Sequence, residues 1–198
     1  MLIHLKMFKI TQRQYEIIMQ QAQACYPKET GGFLGGREET VLGVLPEPNK
    51  FLGDRTQTYG LDDYDMQRAY QFFTKHNLEY FGVYHTHPQG EAFPSEQDIK
   101  QGQKYLFIIG LSERYNPELR AFQVINQKQV IPIEIQVIDN KGITVIDITT
   151  GKPMLSENVS KTEMANLAEM INAHLEGRLE YQKYEPTEWD ASSFSTFA

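Results

Sequence analysis

Cysteine is nearly absent from this chain of 198 residues, which contains Cys25 alone. A single cysteine excludes an intrachain disulfide and agrees with a compartment in which thiols stay reduced. Long apolar runs are absent as well, since no stretch approaches the roughly 20 residues that a membrane-spanning helix requires. The first ten residues alternate between apolar and polar side chains, unlike a secretory signal. We therefore expect a cytoplasmic protein with no membrane partner.

Basic residues are scarce relative to acidic ones, and the formal net charge is -7. Most of this imbalance lies in residues 157–198, where eight acidic side chains stand against three basic ones. No cluster of lysine and arginine resembles the positive stripe with which proteins neutralise phosphates. The composition therefore argues against nucleic acid as a partner.

Hydrophobic residues make up 40% of the chain and aromatic residues 12%, which is enough for one well-packed core. Helix and strand patterns alternate through residues 1–138 and predict an α/β (α+β) domain with helices around a mixed β-sheet. Residues 139–198 are predicted to form a C-terminal extension with a strand, a linker, an amphipathic helix over about 160–181 and a mobile acidic tail. That helix is suited to a partner or to self-association, or else it packs on its own domain.

The individual elements of the first domain follow from periodicity and from turn residues. Thr11 is expected to cap a helix over about 12–25, and a long polar connection spans 46–59. A glycine-rich stretch at 31–36 lacks the lysine of a phosphate-binding loop and is better explained as a strand with close backbone packing. The remaining patterns predict strands over 2–10, 32–36, 40–45, 106–111, 120–126, 130–137 and 142–148, and helices over 61–77 and from 95 to about 105.

The stretch 81–98 carries the strongest functional pattern. His85 and His87 end a predicted strand, and residues two apart on a strand point to the same face. A proline ends this strand, and Ser95 then begins a helix with Asp98 one turn in, its carboxylate directed back toward the strand end. Two imidazoles and one carboxylate are the ligands of a catalytic zinc with a fourth position left for water. The alternative is a pair of exposed histidines beside an ordinary helix cap.

These residues resemble a known family once a glutamate upstream of them is included. The pattern Glu29, His85-x-His87, seven residues, Ser95, two residues, Asp98 is similar to the JAMM (MPN-plus) zinc metallopeptidases, above all to the compact prokaryotic members. The resemblance implies the cytidine-deaminase-like three-layer fold of the MPN domain. It also implies one Zn²⁺ held by His85, His87 and Asp98, with Glu29 as general base and Ser95 as oxyanion donor.

The resemblance further implies a reaction, the hydrolysis of a peptide or isopeptide bond after the glycine-rich carboxyl terminus of a ubiquitin-like protein. The substrate would be a conjugate, as for a deubiquitinase, or a sulfur-carrier precursor. An extended Gly-Gly tail is suited to adding to a sheet edge in a narrow groove. Two alternatives remain open, a non-catalytic MPN scaffold and a zinc hydrolase of small amides. Likewise, Glu29 could be a solvated loop carboxylate and Ser95 a helix cap alone.

Overall fold

The computed structural model describes residues 6–112 and 116–139, together with two short strands farther along the chain. Seven strands form one mixed sheet that closes on itself, because the last of them pairs with the first. In chain order the elements are β1 (Met7–Thr11), α1 (Gln12–Cys25), β2 (Gly31–Arg37), β3 (Thr40–Glu47), α2 (Asp63–Lys75), β4 (Glu79–His87), α3 (Glu96–Lys100), β5 (Tyr105–Gly110), β6 (Glu118–Ile125), β7 (Gln129–Ile138), β8 (Thr144–Ile146) and β9 (Pro153–Leu155).

The closed sheet has the strand order β1-β3-β2-β4-β5-β6-β7 and contains both parallel and antiparallel pairs. The pairs β1–β3, β1–β7 and β4–β5 are parallel, and the other four are antiparallel. Helices pack against both faces of this sheet, so the predicted mixed α+β fold is confirmed.

Neighbouring residues of one strand serve the two helix layers. Leu34 of β2 and Tyr84 of β4 pack in the cluster of α1, whereas Phe33 and Val83 pack in the cluster of α2. Because side chains alternate between the faces of a strand, a strand covered on both sides is apolar at nearly every position. This explains why β5, with all six residues buried, lacks an alternating pattern. The sheet is therefore the middle of three layers.

The glycine-rich stretch is the strand β2, as its composition predicts. A Cβ at Gly31 would overlap the backbone carbonyl of Tyr84 in β4, and one at Gly32 would overlap the carbonyl of Leu45 in β3. Glycine is required here because two strands approach the backbone of β2 closely.

Several predicted boundaries are confirmed, and two predictions are wrong. Thr11 caps α1 by accepting a hydrogen bond from the backbone of Gln14. By contrast, α3 ends at Lys100 rather than near residue 105, because Gly102 takes a φ of +78° that no helix continues. The strand β9 lies in a segment expected to be linker. The predicted helix over about 160–181 and the acidic tail lie outside the described residues.

Candidate metal centre

The two histidines stand at the carboxyl end of β4, next to the parallel strand β5. His85 pairs with Gly31 of β2 on one side and with Ile108 of β5 on the other. His85 is buried and His87 is half-buried. Their Nε2 atoms lie 3.2 Å apart, so the strand period brings both rings to one point, as predicted.

Asp98 reaches this point from the first turn of α3. The backbone N–H of Asp98 donates to Ser95 Oγ (3.2 Å), and the backbone N–H of Ser95 donates back to Asp98 Oδ2 (2.7 Å). This reciprocal capping box fixes the direction of the carboxylate. Asp98 Oδ1 lies 3.1 Å from His85 Nε2, and Oδ2 lies 3.4 Å from His87 Nε2.

The spacing of these three side chains fits a metal ion. A tetrahedral zinc ion with bonds of about 2.0–2.1 Å separates its ligand atoms by about 3.3 Å. His85 Nε2 lies 3.2 Å from His87 Nε2 and 3.1 Å from Asp98 Oδ1, while Asp98 Oδ2 lies 3.4 Å from His87 Nε2. One ligand atom from each of the three residues lies within 4.8 Å of the others. Two imidazoles and a carboxylate also match the preferences of zinc for nitrogen and oxygen ligands. The three residues together could therefore hold one zinc ion.

His85 is oriented by an aromatic neighbour. Its Nδ1 atom is buried and has no hydrogen-bond partner in the described part of the chain. The ring of Tyr59 stacks on the imidazole, with centroids 6.0 Å apart and planes 11° apart, and the Tyr59 hydroxyl donates to the carbonyl of Glu47 (3.1 Å). Stacking thus takes the orienting role that a hydrogen bond to the second imidazole nitrogen usually has. The sequence carried no signal for this contact.

Glu29 lies at the same cleft, two residues before the start of β2. The cleft has a volume of about 350 Å³ and is lined by Glu29, Ser95, His87, Asp98 and residues 56–59 among others. Glu29 is buried, and burial raises the pKa of its carboxyl to about 7, while the charge of His87 opposes the shift and that of Asp98 adds to it. A carboxyl that titrates near neutral pH is suited to both taking and giving a proton.

The charges around the histidines favour a cation. Burial by itself raises the pKa of Asp98, but hydrogen bonds with His85, His87 and Ser95 outweigh it and hold this pKa well below its usual range. Burial lowers the pKa of His87, but the hydrogen bond and charge of Asp98 and the charge of Glu29 raise it overall. A carboxylate that stays ionised beside two imidazoles is the electrostatic arrangement of a metal site.

Ser95 has a second contact with Asp98, through its hydroxyl. Ser95 Oγ donates to Asp98 Oδ2 at 2.7 Å, in addition to capping α3. The hydroxyl proton is therefore engaged with the carboxylate. Service as an oxyanion donor requires the hydroxyl to turn away from Asp98, so this role of Ser95 stays a prediction.

The family model of prokaryotic homologues of the JAB domain matches residues 11–125 of the chain. A probable TtuB-protein conjugate cleaving protease from Thermus thermophilus is 37% identical over 75 residues, which is 38% of this chain and 49% of that protein. A desampylase from Pyrococcus furiosus is 28% identical over 112 residues, which is 55% of this chain and 76% of the desampylase. The chain thus matches about half the length of the first relative.

Among solved structures, the chain is similar to the solution structure of a protein from Desulfitobacterium hafniense. The TM-score is 0.60 at 26% sequence identity, and the match covers 67% of this chain and 94% of that protein. The likeness therefore extends over nearly the whole of the neighbour's fold.

Proposed function

The chain belongs to the family of prokaryotic homologues of the JAB domain, a branch of the JAMM (JAB/MPN) metallopeptidases, and we propose that it is a zinc-dependent isopeptidase. Its substrate would be a ubiquitin-like protein, cut after a glycine-rich carboxyl terminus. One observation carries the proposal: ligand atoms of His85, His87 and Asp98 converge where one metal ion could be held, and the buried side chain of Glu29 lines the same cleft as His87 and Asp98.

His85, His87 and Asp98 would hold the ion, and zinc bound there supplies Lewis acidity toward water and toward the scissile carbonyl. Secondary structure and packing would hold these ligands in place. His85 is held by the ladders of β4 and by stacking on Tyr59, and Asp98 is held by the α3 cap.

Glu29 would act as the proton carrier of the reaction. Its carboxylate takes a proton from the attacking water as the new C–O bond forms. It then gives the proton to the leaving amine as the C–N bond breaks. A group positioned for both transfers contributes typically about 10²- to 10⁴-fold in rate.

Ser95 would stabilise the oxygen that becomes negative when water attacks the carbonyl. Its hydroxyl lies 2.7 Å from Oδ2 of the ligand Asp98, and a single oxyanion donor is worth about 10²- to 10³-fold. Release of Asp98 Oδ2 by the hydroxyl leaves the backbone N–H of Ser95 on the same oxygen, so the carboxylate remains held.

The surroundings of the cleft support an extended, uncharged substrate tail. Its lining is rich in neutral polar side chains, including Gln57, Gln97 and Gln101. Both β2 and β4 are paired on each side, so a Gly-Gly tail cannot add to either of these strands. The backbone of residues 56–59, which borders the cleft, is the surface on which such a tail would lie. The name of the Thermus relative, which describes cleavage of a protein conjugate, supports an isopeptide substrate.

The substrate class is tested with a Gly-Gly-terminated ubiquitin-like protein fused to a short carboxyl-terminal extension. Zinc-loaded protein is expected to release the extension after the second glycine, as read by intact mass. A matched fusion with both glycines changed to valine should stay intact, because the proposed specificity is for a tail without side chains. Equal cleavage of both fusions would contradict the tail specificity. No cleavage of either would favour a small amide substrate or a scaffold.

A further inference from the structure

The connection between β3 and α2 is organised around one buried amide. Residues 48–62 form no helix or strand, yet Asn49 among them is only 8% exposed. Its Nδ2 donates to the carbonyl of Thr58 (2.8 Å), and its Oδ1 accepts from the backbone N–H groups of Phe51 (3.0 Å) and Gly60 (3.1 Å). A single amide thus ties the two limbs of the loop together.

The second N–H of this amide forms a hydrogen bond outside the loop, with Glu29. Asn49 Nδ2 donates to the Glu29 carbonyl at 3.1 Å. The same loop also binds the backbone N–H of Glu29, which donates to the carbonyl of Arg55 at 2.7 Å. Both backbone polar groups of Glu29 are therefore held by residues 48–62.

Strand pairing does not hold the backbone of Glu29, because β2 begins only at Gly31. The next residue, Thr30, is hydrogen-bonded instead to β4, the strand that carries His85 and His87. Its N–H donates to Thr86 Oγ1 (3.0 Å), and the Thr86 N–H donates to the Thr30 carbonyl (2.9 Å). The chain is thus hydrogen-bonded to β4 at Thr30 and to residues 48–62 at Glu29.

We propose that Asn49 is a positioning residue for Glu29. By holding the Glu29 main chain, its amide sets where the carboxyl stands relative to His87 and Asp98. The inference rests on the proposed function, in which Glu29 carries the proton. Without the amide, the carbonyls of Glu29 and Thr58 lose their donor and turn toward water, which separates the loop from Glu29. A misplacement of about 1 Å in a reacting group costs about 100-fold in rate.

The attachment itself is tested without any substrate, by amide hydrogen exchange of the full chain with and without zinc. In Asn49→Ala the Glu29 amide is expected to lose protection by at least about tenfold, while the Thr86 amide keeps its protection. Asp54→Ala is the matched control, because Asp54 accepts from Thr56 within the same loop and is exposed. It should leave the Glu29 amide protected. Unchanged protection of Glu29 in Asn49→Ala would overturn the proposal.

The positioning role is tested by combining Asn49→Ala with Glu29→Gln. Single-turnover cleavage of the Gly-Gly fusion by a saturating excess of zinc-loaded protein, which removes differences in substrate binding, should slow about 100-fold on Asn49→Ala, with zinc content nearly unchanged. In the Glu29→Gln background, the same substitution should have less than about a twofold effect, since the group that it positions is gone. An equal loss in both backgrounds would overturn the role, because Asn49 would then act through the loop alone.

The two measurements also separate this inference from the function on which it rests. If wild-type protein does not cleave the fusion but Asn49→Ala loses protection at Glu29, the proposed peptidase function fails while the attachment of Glu29 to the loop stands. If protection is retained, the attachment fails whatever the activity.

Discussion

Asp98 combines two tasks in one carboxylate. Its Oδ2 atom accepts from the backbone N–H and the hydroxyl of Ser95, which closes the first turn of α3. Its Oδ1 atom faces His85 at 3.1 Å. Because the cap fixes the carboxylate, the position of the third candidate ligand follows from where the helix starts.

Replacing Asp98 should therefore remove the metal while the histidines remain. We expect Asp98→Ala to weaken zinc binding by at least about 100-fold, because one of three protein ligands and the negative charge are lost. Competition with a chromophoric chelator measures this affinity. Glu96→Ala is the matched control, since Glu96 is an exposed acid of the same helix turn whose ion-pair partner is Lys100. Equal zinc affinity of the two variants would refute the ligand assignment.

Substitutions of Ser95 distinguish its proposed role as an oxyanion donor from its role as the helix cap. Ser95→Ala should lower kcat by about 10²-fold with little change in KM, because an oxyanion donor acts only in the transition state. It should also cost about 1 kcal/mol of stability through the lost cap. Ser95→Thr keeps a hydroxyl and a cap, and should recover most of both. If Ser95→Ala loses stability but keeps kcat, the residue is a cap alone.

At the scale of elements, β2 carries the tightest packing near the site. A Cβ at Gly32 would overlap the carbonyl of Leu45, a backbone atom that cannot move aside. We expect Gly32→Ala to lower the free energy of unfolding by about 2–3 kcal/mol, as measured by urea denaturation. Gly53→Ala is the control, because its Cβ would meet the ring edge of Phe51, an exposed side chain that can turn. Equal stability of the two variants would contradict the close approach of β2 and β3.

The elements that follow from local rules were predicted well. The strand period of two placed His85 and His87 together, and the three-residue spacing of a capping box aimed Asp98 at them. The length of α3 was predicted wrongly, because the helix ends at Lys100 and the chain turns at Gly102 with a positive φ. A glycine just past the end of a helix is the usual signal for such a stop, and the prediction extended the helix beyond it.

Glu29 and its supports could not be predicted in this way. Only the family resemblance singled out Glu29, because a lone carboxylate after a proline has no local pattern that distinguishes it from solvated ones. Its attachment to Asn49 joins residues 20 apart across a loop, and the stacking of Tyr59 on His85 joins residues of different elements. Such contacts depend on tertiary structure, for which the polar connection 46–59 gave only a general hint of function.

At the scale of the whole molecule, closure of the sheet is the feature that sequence patterns miss. β1 pairs in parallel with β7, so that Met7 lies opposite Glu134 and Thr11 opposite Ile138. No local pattern encodes a pairing between opposite ends of a domain. In the described part of the chain no helix is long and apolar enough to cross a membrane. The division of the chain at residue 138 and the role of the segment beyond it stay predictions.

The central claim is that this closed fold holds zinc at His85, His87 and Asp98 and uses Glu29 to move the proton. The most direct measurement compares wild-type protein with Glu29→Gln, both loaded with one zinc per chain, by intact mass of the Gly-Gly fusion over time. The wild type is expected to release the extension, and Glu29→Gln to be slower by about 10²- to 10⁴-fold at equal zinc content, since an amide takes no proton. Cleavage at similar rates by both proteins would contradict the account.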